Sequence, residues 1–439
     1  MQTQFAPAQL TDPALSEANA ILRTCVHCGF CLATCPTYLL RGDELDSPRG
    51  RIYLAKVMLE TGKPARPAVI KHLDRCLTCR SCMTTCPSGV DYGHLIERAR
   101  ARVETEHRRP LPDRLLRRWL GLLVPNPPLF RLALRAARPL RPVARLLPGR
   151  LQGMVAMAPK RLPRPSASTA PRTHPARGPR RARLALLPGC VQTVLHPEIN
   201  EATIRLLTRH GCNVVIARKI GCCGAIATQL GDERSAKALA RRNVAAWAAE
   251  LERGLDGVVF NASGCGVALR DYGHLLRDDP QWAEAAARIS ALSRDVSEIL
   301  GDLGPLAPAI RTGQRVVYQA ACTMQHGLGI REAPKTLLSD VGFAVREPAE
   351  SHICCGSAGV YSVLQPGMAS ELRARKLANL MATEPEIIAS GNIGCISYLG
   401  EVAPVPVVHS VELLDWATGG PRPEALSPPG AGDPPRRIR

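Results

Sequence analysis

The sequence predicts a mixed α/β protein in two parts: a small α-helical module organised around cysteines at the N-terminal end, and a C-terminal pair of repeated cysteine-rich α/β domains. Three observations predict it. Two strings of four cysteines lie between Cys25 and Cys86, a second set of cysteines recurs at matching intervals beyond Arg183, and a stretch rich in Arg and Pro separates the two.

The first string is Cys25, Cys28, Cys31 and Cys35, followed by Pro36; the second is Cys76, Cys79, Cys82 and Cys86, followed by Pro87. Each reads C-x2-C-x2-C-x3-C-P, the spacing of bacterial two-cluster ferredoxins. Thiolates are soft ligands suited to iron–sulfur clusters. The short intervals let the chain wrap a cluster and present three sulfurs, while the fourth Cys points away and ligates the other cluster. The spacing therefore assigns Cys25, Cys28, Cys31 and Cys86 to one [4Fe–4S] cluster, and Cys76, Cys79, Cys82 and Cys35 to a second. Zinc is the alternative, but zinc sites rarely use this four-cysteine string followed by Pro, and rarely twice. The module is read as ferredoxin-like and the chain as one that carries electrons.

Between the strings, Ser47 suits a helix N-cap and Pro48 the first helical position. Ile52, Ala55, Val57 and Leu59 offer a packing face, and Gly62 a stop. Short helices with irregular cluster loops are expected through about residue 107.

The basic charge is confined. Between Glu106 and Leu184 there are 19 Lys or Arg against one acid, Asp113, which accounts for +18 of the net +19. No aromatic platform or recognition motif accompanies this charge, so nucleic acid is not the expected partner. Leu115–Leu120 and Leu129–Arg135 place apolar residues at helical spacing with Arg between, predicting two short amphipathic helices. They are expected to dock on a neighbouring domain or partner, with peripheral contact to an anionic membrane surface as the sharper alternative. Residues Pro159 to Pro179 read as a linker with little fixed structure.

From Arg183 to about Gly419 the chain repeats itself. Cys190 precedes the pair Cys222–Cys223 by 32 positions, and Cys322 precedes Cys354–Cys355 by 32. The last cysteines, Cys265 and Cys395, follow their pairs by 42 and 40 positions. Similar phrases close each half, Asp295–Leu300 and His409–Leu414. A repeat this regular is a strong signal. Strands are predicted at Asn213–Ala217, Gly257–Phe260, Arg315–Tyr318 and Val405–Val408, and helices at Glu233–Leu251 and Ser370–Leu380. Alternation of this kind implies a parallel sheet with covering helices. The glycines after the pairs, Gly224 and Gly356, permit a sharp bend. His196, His326 and His352 are expected to be structural, and Cys212 to be core. The expected domains are 1–107, 108–182, 183–308 and 309–419, with a flexible tail at 420–439.

Residues Met1 to Ala20 carry no basic start followed by an apolar stretch, so no export signal is expected. No run of about 18 apolar residues exists to span a membrane. Thiolate clusters need a reducing compartment, so the expected location is cytoplasmic, with a peripheral place on the cytoplasmic face of the inner membrane open to it.

The repeats resemble the cysteine-rich CCG domains of the heterodisulfide reductases. The same domains occur in the iron–sulfur subunits of lactate, anaerobic glycerol-3-phosphate and glycolate oxidases. The runs Ile21–Cys31, Gly42–Tyr53, His72–Arg80, Gly221–Ala225 and Ala262–Gly266 resemble most closely the glycolate oxidase iron–sulfur subunits. The resemblance implies a flavoprotein partner that oxidises glycolate to glyoxylate and passes electrons through this chain to a quinone or other membrane acceptor. The flavin would belong to that partner, since no Gly-x-Gly-x-x-Gly follows a strand here. In the heterodisulfide reductase pattern each CCG domain ends in C-x2-C, whereas Ala262 and Asn392 stand at the first of those positions here. Each repeat's four cysteines, Cys190, Cys222, Cys223 and Cys265 or Cys322, Cys354, Cys355 and Cys395, suffice for a [4Fe–4S] cluster or another metal; binding nothing is the alternative. Disulfide-reducing catalysis becomes a weaker expectation. A lactate or glycerol-3-phosphate subunit and a DNA-binding redox sensor are the competing readings.

Overall fold

The computed structural model describes residues 1–143, 146, 154–155, 158–159, 161–304, 306–308, 310 and 313–427. The N-terminal part is helical: α1 (Pro13–Thr24), α2 (Pro36–Arg41), α3 (Pro48–Thr61), α4 (Pro67–Asp74), α5 (Ser81–Thr85) and α6 (Tyr92–Glu106). The Ser47 side chain caps α3 by accepting from Gly50 N, and Gly62 ends the helix in the left-handed region. The buried face of α3 is Ile52, Ala55, Met58 and Leu59. Val57, expected on that face, is instead exposed, because the helical period brings Met58 inward one position later.

A buried charge network locks α3 and α4 together. Asp46 is fully buried; its carboxylate accepts from Arg51 at 3.3 Å, His72 at 2.8 Å and Arg75 at 2.7 Å. Arg51 Nε donates to the carbonyl of His72 at 2.6 Å. Gly50 is obligatory here, since a Cβ would stand 2.0 Å from the carbonyl oxygen of Glu44.

The basic segment folds into α7 (Leu111–Leu123) and α8 (Pro127–Ala137). Part of its charge turns inward: Arg109 and Arg117 both bond Asp74, at 2.7 and 3.0 Å. The following stretch, expected to be a loose linker, contributes β1 (Arg172–His174), antiparallel to β3 (Cys212–Ile216). The reason is the free edge of β3, whose unpaired backbone groups β1 satisfies.

The two C-terminal halves build two sheets of the same topology. In the first, β2 (Ala182–Leu186), β3, β4 (Gly257–Phe260) and β5 (Ser293–Asp295) lie in the order β3-β2-β4-β5, all parallel, with β1 added at the edge. In the second, β6 (Arg315–Gln319), β7 (Ala344–Arg346), β8 (Ile387–Ser390) and β9 (Val407–His409) lie in the equivalent order β7-β6-β8-β9. The central strands are apolar because helices cover both faces. One core runs through both halves, including Trp247, Phe260 and Tyr318. The repeated closing phrases are explained by capping: Asp295 with Glu298, and His409 with Glu412, form capping boxes on the helices that follow β5 and β9. The expected flexible tail is only partly described. Glu424–Leu426 forms a 3-10 turn and Leu426 packs on the core, so residues 420–427 are held down; the remainder lies outside the described residues.

The packing makes two expectations testable. Asp46→Ala strands Arg51 in the interior, and breaking a buried pair costs about 3–5 kcal/mol. Thermal unfolding followed by circular dichroism should shift to clearly lower temperature; an unchanged transition would contradict the network's role. At the junction of α6 with the first repeat, His94 bonds Asp91 at 2.6 Å and Asp271 at 2.8 Å. Burial opposes its charge, but the hydrogen bonds to Asp271 and Asp91 prevail and raise its pKa to about 10. The stabilisation from this raised pKa is fully present below about 6.5 and lost as pH rises through about 10. His94→Gln should flatten the decline of stability across that window in a pH series of melts.

Candidate metal centres

Both N-terminal strings fold alike. His27 and Gly29 in the first, and Thr78 and Arg80 at the matching positions of the second, have positive φ. Three of these four are not glycine, and such residues in the left-handed region concentrate at functional sites. The left-handed steps curl each C-x2-C run around a centre, and Thr78 N comes within 3.4 Å of Cys76 Sγ.

Cys25, Cys28, Cys31 and Cys86 line one small cavity, so the last cysteine of the second string meets the first three of the first. Cys82 lines the same cavity, with Pro48, Ile52 and Tyr92. Cys28 is exposed, and its neighbours Val26 and Phe30 project into solvent. Around the other set, burial and then the neighbouring sulfurs of Cys79, Cys76 and Cys35 push the Cys82 thiol up. Tyr92 OH donates to Cys76 Sγ at 3.6 Å. Arg51 Nη1 stands 4.0 Å from Cys35 Sγ, which brings its buried positive charge to the sulfur.

In each repeat the four thiols are strung in sequence. Cys190 Sγ lies 3.4 Å from Cys222 Sγ, and Cys322 Sγ lies 3.7 Å from Cys354 Sγ. Cys355 Sγ lies 3.4 Å from Cys395 Sγ, and Cys223 is hydrogen-bonded to Cys265 in the same way. Among the described residues, no three of these sulfurs fall within 4.8 Å of one another. The bend expected after each pair is present: Gly224 and Gly356 have φ of +91° and +88°. At Gly356 a Cβ would stand 2.4 Å from the carbonyl oxygen of Ala369.

Several residues that build these sites carry no signal in the sequence. Asn243 accepts from Gly221 N and donates to the carbonyl of Cys222, both at 2.9 Å. Tyr272 OH donates to the carbonyl of Cys223 at 2.9 Å. In the second repeat Lys376 is buried and donates to the carbonyls of Glu350 and Ser351 at 2.9 and 3.2 Å. Burial lowers its pKa, and the charges of Cys355, Cys354, Cys322 and Cys395 oppose that fall. Hydrogen bonds from Cys190 and Cys223 pull the Cys222 thiol down to about 4. Those from Cys354 and Cys395 likewise lower Cys355. At the position where the C-x2-C pattern has a cysteine, Asn392 donates to Cys395 Sγ at 3.5 Å. Ala262 offers no side-chain donor at the equivalent place. The two ends meet, with Ser263 N donating to Gly391 O at 3.3 Å.

All eight repeat cysteines line one apolar cavity of about 460 Å³, roofed by residues of α7 and α8. The second N-terminal string reaches its wall through Leu77, Thr78 and Arg80. Cys79 packs in one cluster with Ile353, Cys354 and Tyr361, with Cys322 against its edge. His326 bonds Thr84 at 2.8 Å and the carbonyl of His352 at 3.0 Å, and His196 bonds Glu198 at 2.8 Å. Cys212 is fully buried on β3, away from these sets.

Comparison with known proteins agrees with this arrangement. Residues 21–90 match a 4Fe-4S dicluster domain, and residues 184–270 and 316–400 match a cysteine-rich domain. The chain is 40% identical over 417 residues to the glycolate oxidase iron-sulfur subunit of Escherichia coli, covering 95% of this chain and 99% of that protein. It is 35% identical to a probable glycolate oxidase iron-sulfur subunit of Bacillus subtilis, covering 91% and 94%. It is 30% identical to a lactate utilization protein A of an Exiguobacterium species, covering 53% of this chain and 96% of that one. A crystal structure of a hypothetical protein from Helicobacter pylori shares the fold, with a TM-score of 0.53 at 8% identity over 96% of this chain and 74% of that one. The helical dicluster module, the duplicated cysteine-rich sheets and near full-length identity together show that the chain belongs to the family of glycolate oxidase iron–sulfur subunits.

Proposed function

We propose that this chain is the electron-transfer subunit of a glycolate-oxidising complex, an oxidoreductase acting on a CH–OH group without a nicotinamide acceptor. A flavoprotein partner oxidises glycolate to glyoxylate; this chain carries the electrons to a quinone or other membrane acceptor. Removing a hydride is flavin chemistry, whereas clusters of this class pass electrons singly. Cys25, Cys28, Cys31 and Cys86 hold one [4Fe–4S] cluster, and Cys76, Cys79, Cys82 and Cys35 the second. The repeat cysteines would hold a further cluster. The soft thiolate donors fit such groups, which would supply one-electron relay chemistry here.

The observation that carries the reading is that Cys79 and Cys354 share one packed cluster, with Cys322 against it. It gives a continuous order. Electrons enter at the exposed rim beside Cys28, where Val26 and Phe30 offer a surface to the partner. They pass to the second string, then to the second repeat, and last to the first repeat. The complex works in the cytoplasm and rests peripherally on the membrane. Supporting this, among the described residues no helix is long and apolar enough to cross a membrane, while α7 and α8 expose Leu115, Trp119, Leu122 and Leu132 among arginines. The proposed units are 1–107, 108–182, 183–308, 309–419 and the tail. A lactate-oxidising assembly is the second reading, favoured by the lactate utilization relative.

Iron and acid-labile sulfide analysis, with electron paramagnetic resonance of the reduced protein, tests the metal content. More than about eight irons per chain is the expected result, since two cubanes account for eight; zinc in their place would overturn the reading. Turnover of the reconstituted complex should be greater on glycolate than on D-lactate or glycerol 3-phosphate. Equal or lower turnover on glycolate would overturn the choice of substrate.

A further inference from the structure

We infer that the apolar cavity between the repeat cysteines and the α7–α8 hairpin is the binding site of the lipophilic acceptor, a quinone. The inference rests on the proposed function and gives its last step a place in this chain.

The cavity has two unlike walls. One carries the thiols of both repeats. The opposite wall is built from Leu120, Val124, Phe130, Ala133, Leu134 and Ala137 of α7, α8 and the turn between them, which offer no metal ligand. Groups held by the cysteines would occupy the first wall, and the cavity, about 460 Å³ before they are placed, keeps an apolar second wall. The α7–α8 wall suits a substituted aromatic ring with a hydrocarbon tail, while Arg80, Glu97 and Asp271 supply the cavity's charged edge. The roof helices are anchored, with Leu120 and Val124 packed on Leu230, Val360 and Val363. Their other faces expose Trp119, Leu122 and Leu132. The same two helices therefore border both the cavity and the surface from which a membrane-dissolved ligand would arrive.

Reducing a quinone to its quinol takes two electrons and two protons. The electrons originate in the reduced flavin of the partner and reach the cavity one at a time through this chain. The protons need a route to the two quinone oxygens, and the shared lining of two cavities offers one. Glu97, Thr228, Asp271 and Leu275 line both this cavity and a neighbouring polar cleft that holds Glu17, His94 and His274. Glu97 is held at that boundary by Arg80 at 3.3 Å. Glu97 and Asp271 are the carboxyl groups placed to hand protons inward from the cleft.

The test uses the reconstituted complex and a benzoquinone bearing an azido group and a decyl tail. On illumination, label should appear in α7, α8 and the loops after Gly189 and Ser357, and excess unlabelled decylbenzoquinone should suppress it. Ala133→Trp and Ala137→Trp, which fill the cavity from its roof, should each weaken binding of the unlabelled quinone at least about tenfold in Kd. Iron content and circular dichroism report whether each variant is folded. Val402→Ala, exposed and outside the cavity lining, should leave Kd unchanged. A complex that reduces the quinone but is labelled elsewhere, or binds it as well in both folded tryptophan variants, overturns the site and leaves the proposed function standing. A complex that reduces ferricyanide with glycolate but no quinone overturns the reading on which the site rests.

Discussion

Cys79 sits in one packed cluster with Ile353, Cys354 and Tyr361, and Cys322 closes its edge. The usefulness of the remaining cysteines depends on that contact. Electron transfer falls steeply with separation, so two redox modules joined by a loose linker would be two proteins in series only by chance. The structure removes that freedom with contacts on several sides. Arg41 bonds Glu371 at 2.8 Å, Tyr361 OH donates to the carbonyl of Arg75 at 3.1 Å, and His94 bonds Asp271. Gly231 approaches α6 so closely that a Cβ would stand 2.7 Å from the carbonyl oxygen of Arg100. Individually, exposed ion pairs contribute little. Their value here is positional, since each fixes one edge of an interface whose centre is sulfur.

Burying thiols in such numbers raises an electrostatic problem that the fold meets differently in each place. A buried negative charge needs a partner. The set of Cys76, Cys79, Cys82 and Cys35 has Arg51 beside Cys35, itself held by Asp46, and the second repeat has Lys376. In the first repeat Asn243 and Tyr272 hold the backbone carbonyls of the cysteine pair rather than its sulfurs. Asn392 adds a donor to Cys395 that Ala262 does not supply to Cys265. Hydrogen bonds and charge at the sulfurs set the potential of such sites. Two repeats with one topology therefore present chemically unlike sulfur environments.

The part of this design legible in the sequence is the part encoded by short spacing. The two C-x2-C-x2-C-x3-C-P strings, the Ser47 and Pro48 start of α3, and the glycines after the cysteine pairs are local instructions whose meaning does not depend on what lies across the interior. The repeated closing phrases are visible as a pattern, and the capping boxes give them a cause. What the sequence withholds is long-range. Asn243 lies 21 positions from Cys222, within an amphipathic helix where it looks like one more polar residue. Lys376 looks like a solvent-facing charge until the fold buries it. The strand Arg172–His174 has no apolar run to announce it, because its role is to finish the edge of β3 with backbone alone. Val57 and Met58 differ by one position, too little for periodicity to assign the inward face.

The α7–α8 hairpin carries apolar residues on two faces. An amphipathic helix with a single apolar stripe must choose between core and membrane. These helices have apolar residues on two sides: Leu120 and Val124 turn in to the hydrophobic cluster with Val360 and Val363, while Leu115, Trp119 and Leu122 turn out. The arginines divide in the same way. Arg109 and Arg117 are engaged with Asp74 inside the protein, whereas Arg118 and Arg135 lie exposed, on the flanks where they would meet anionic headgroups. The charge confined to this stretch is therefore not a uniform coat. One part fastens the hairpin over the cysteine cavity and the other faces away from it. A segment that only docked would not need the outer stripe, and one that only bound lipid would not need the inner one. Having both makes the hairpin a partition between the sulfur sites and the surface from which an apolar acceptor would come.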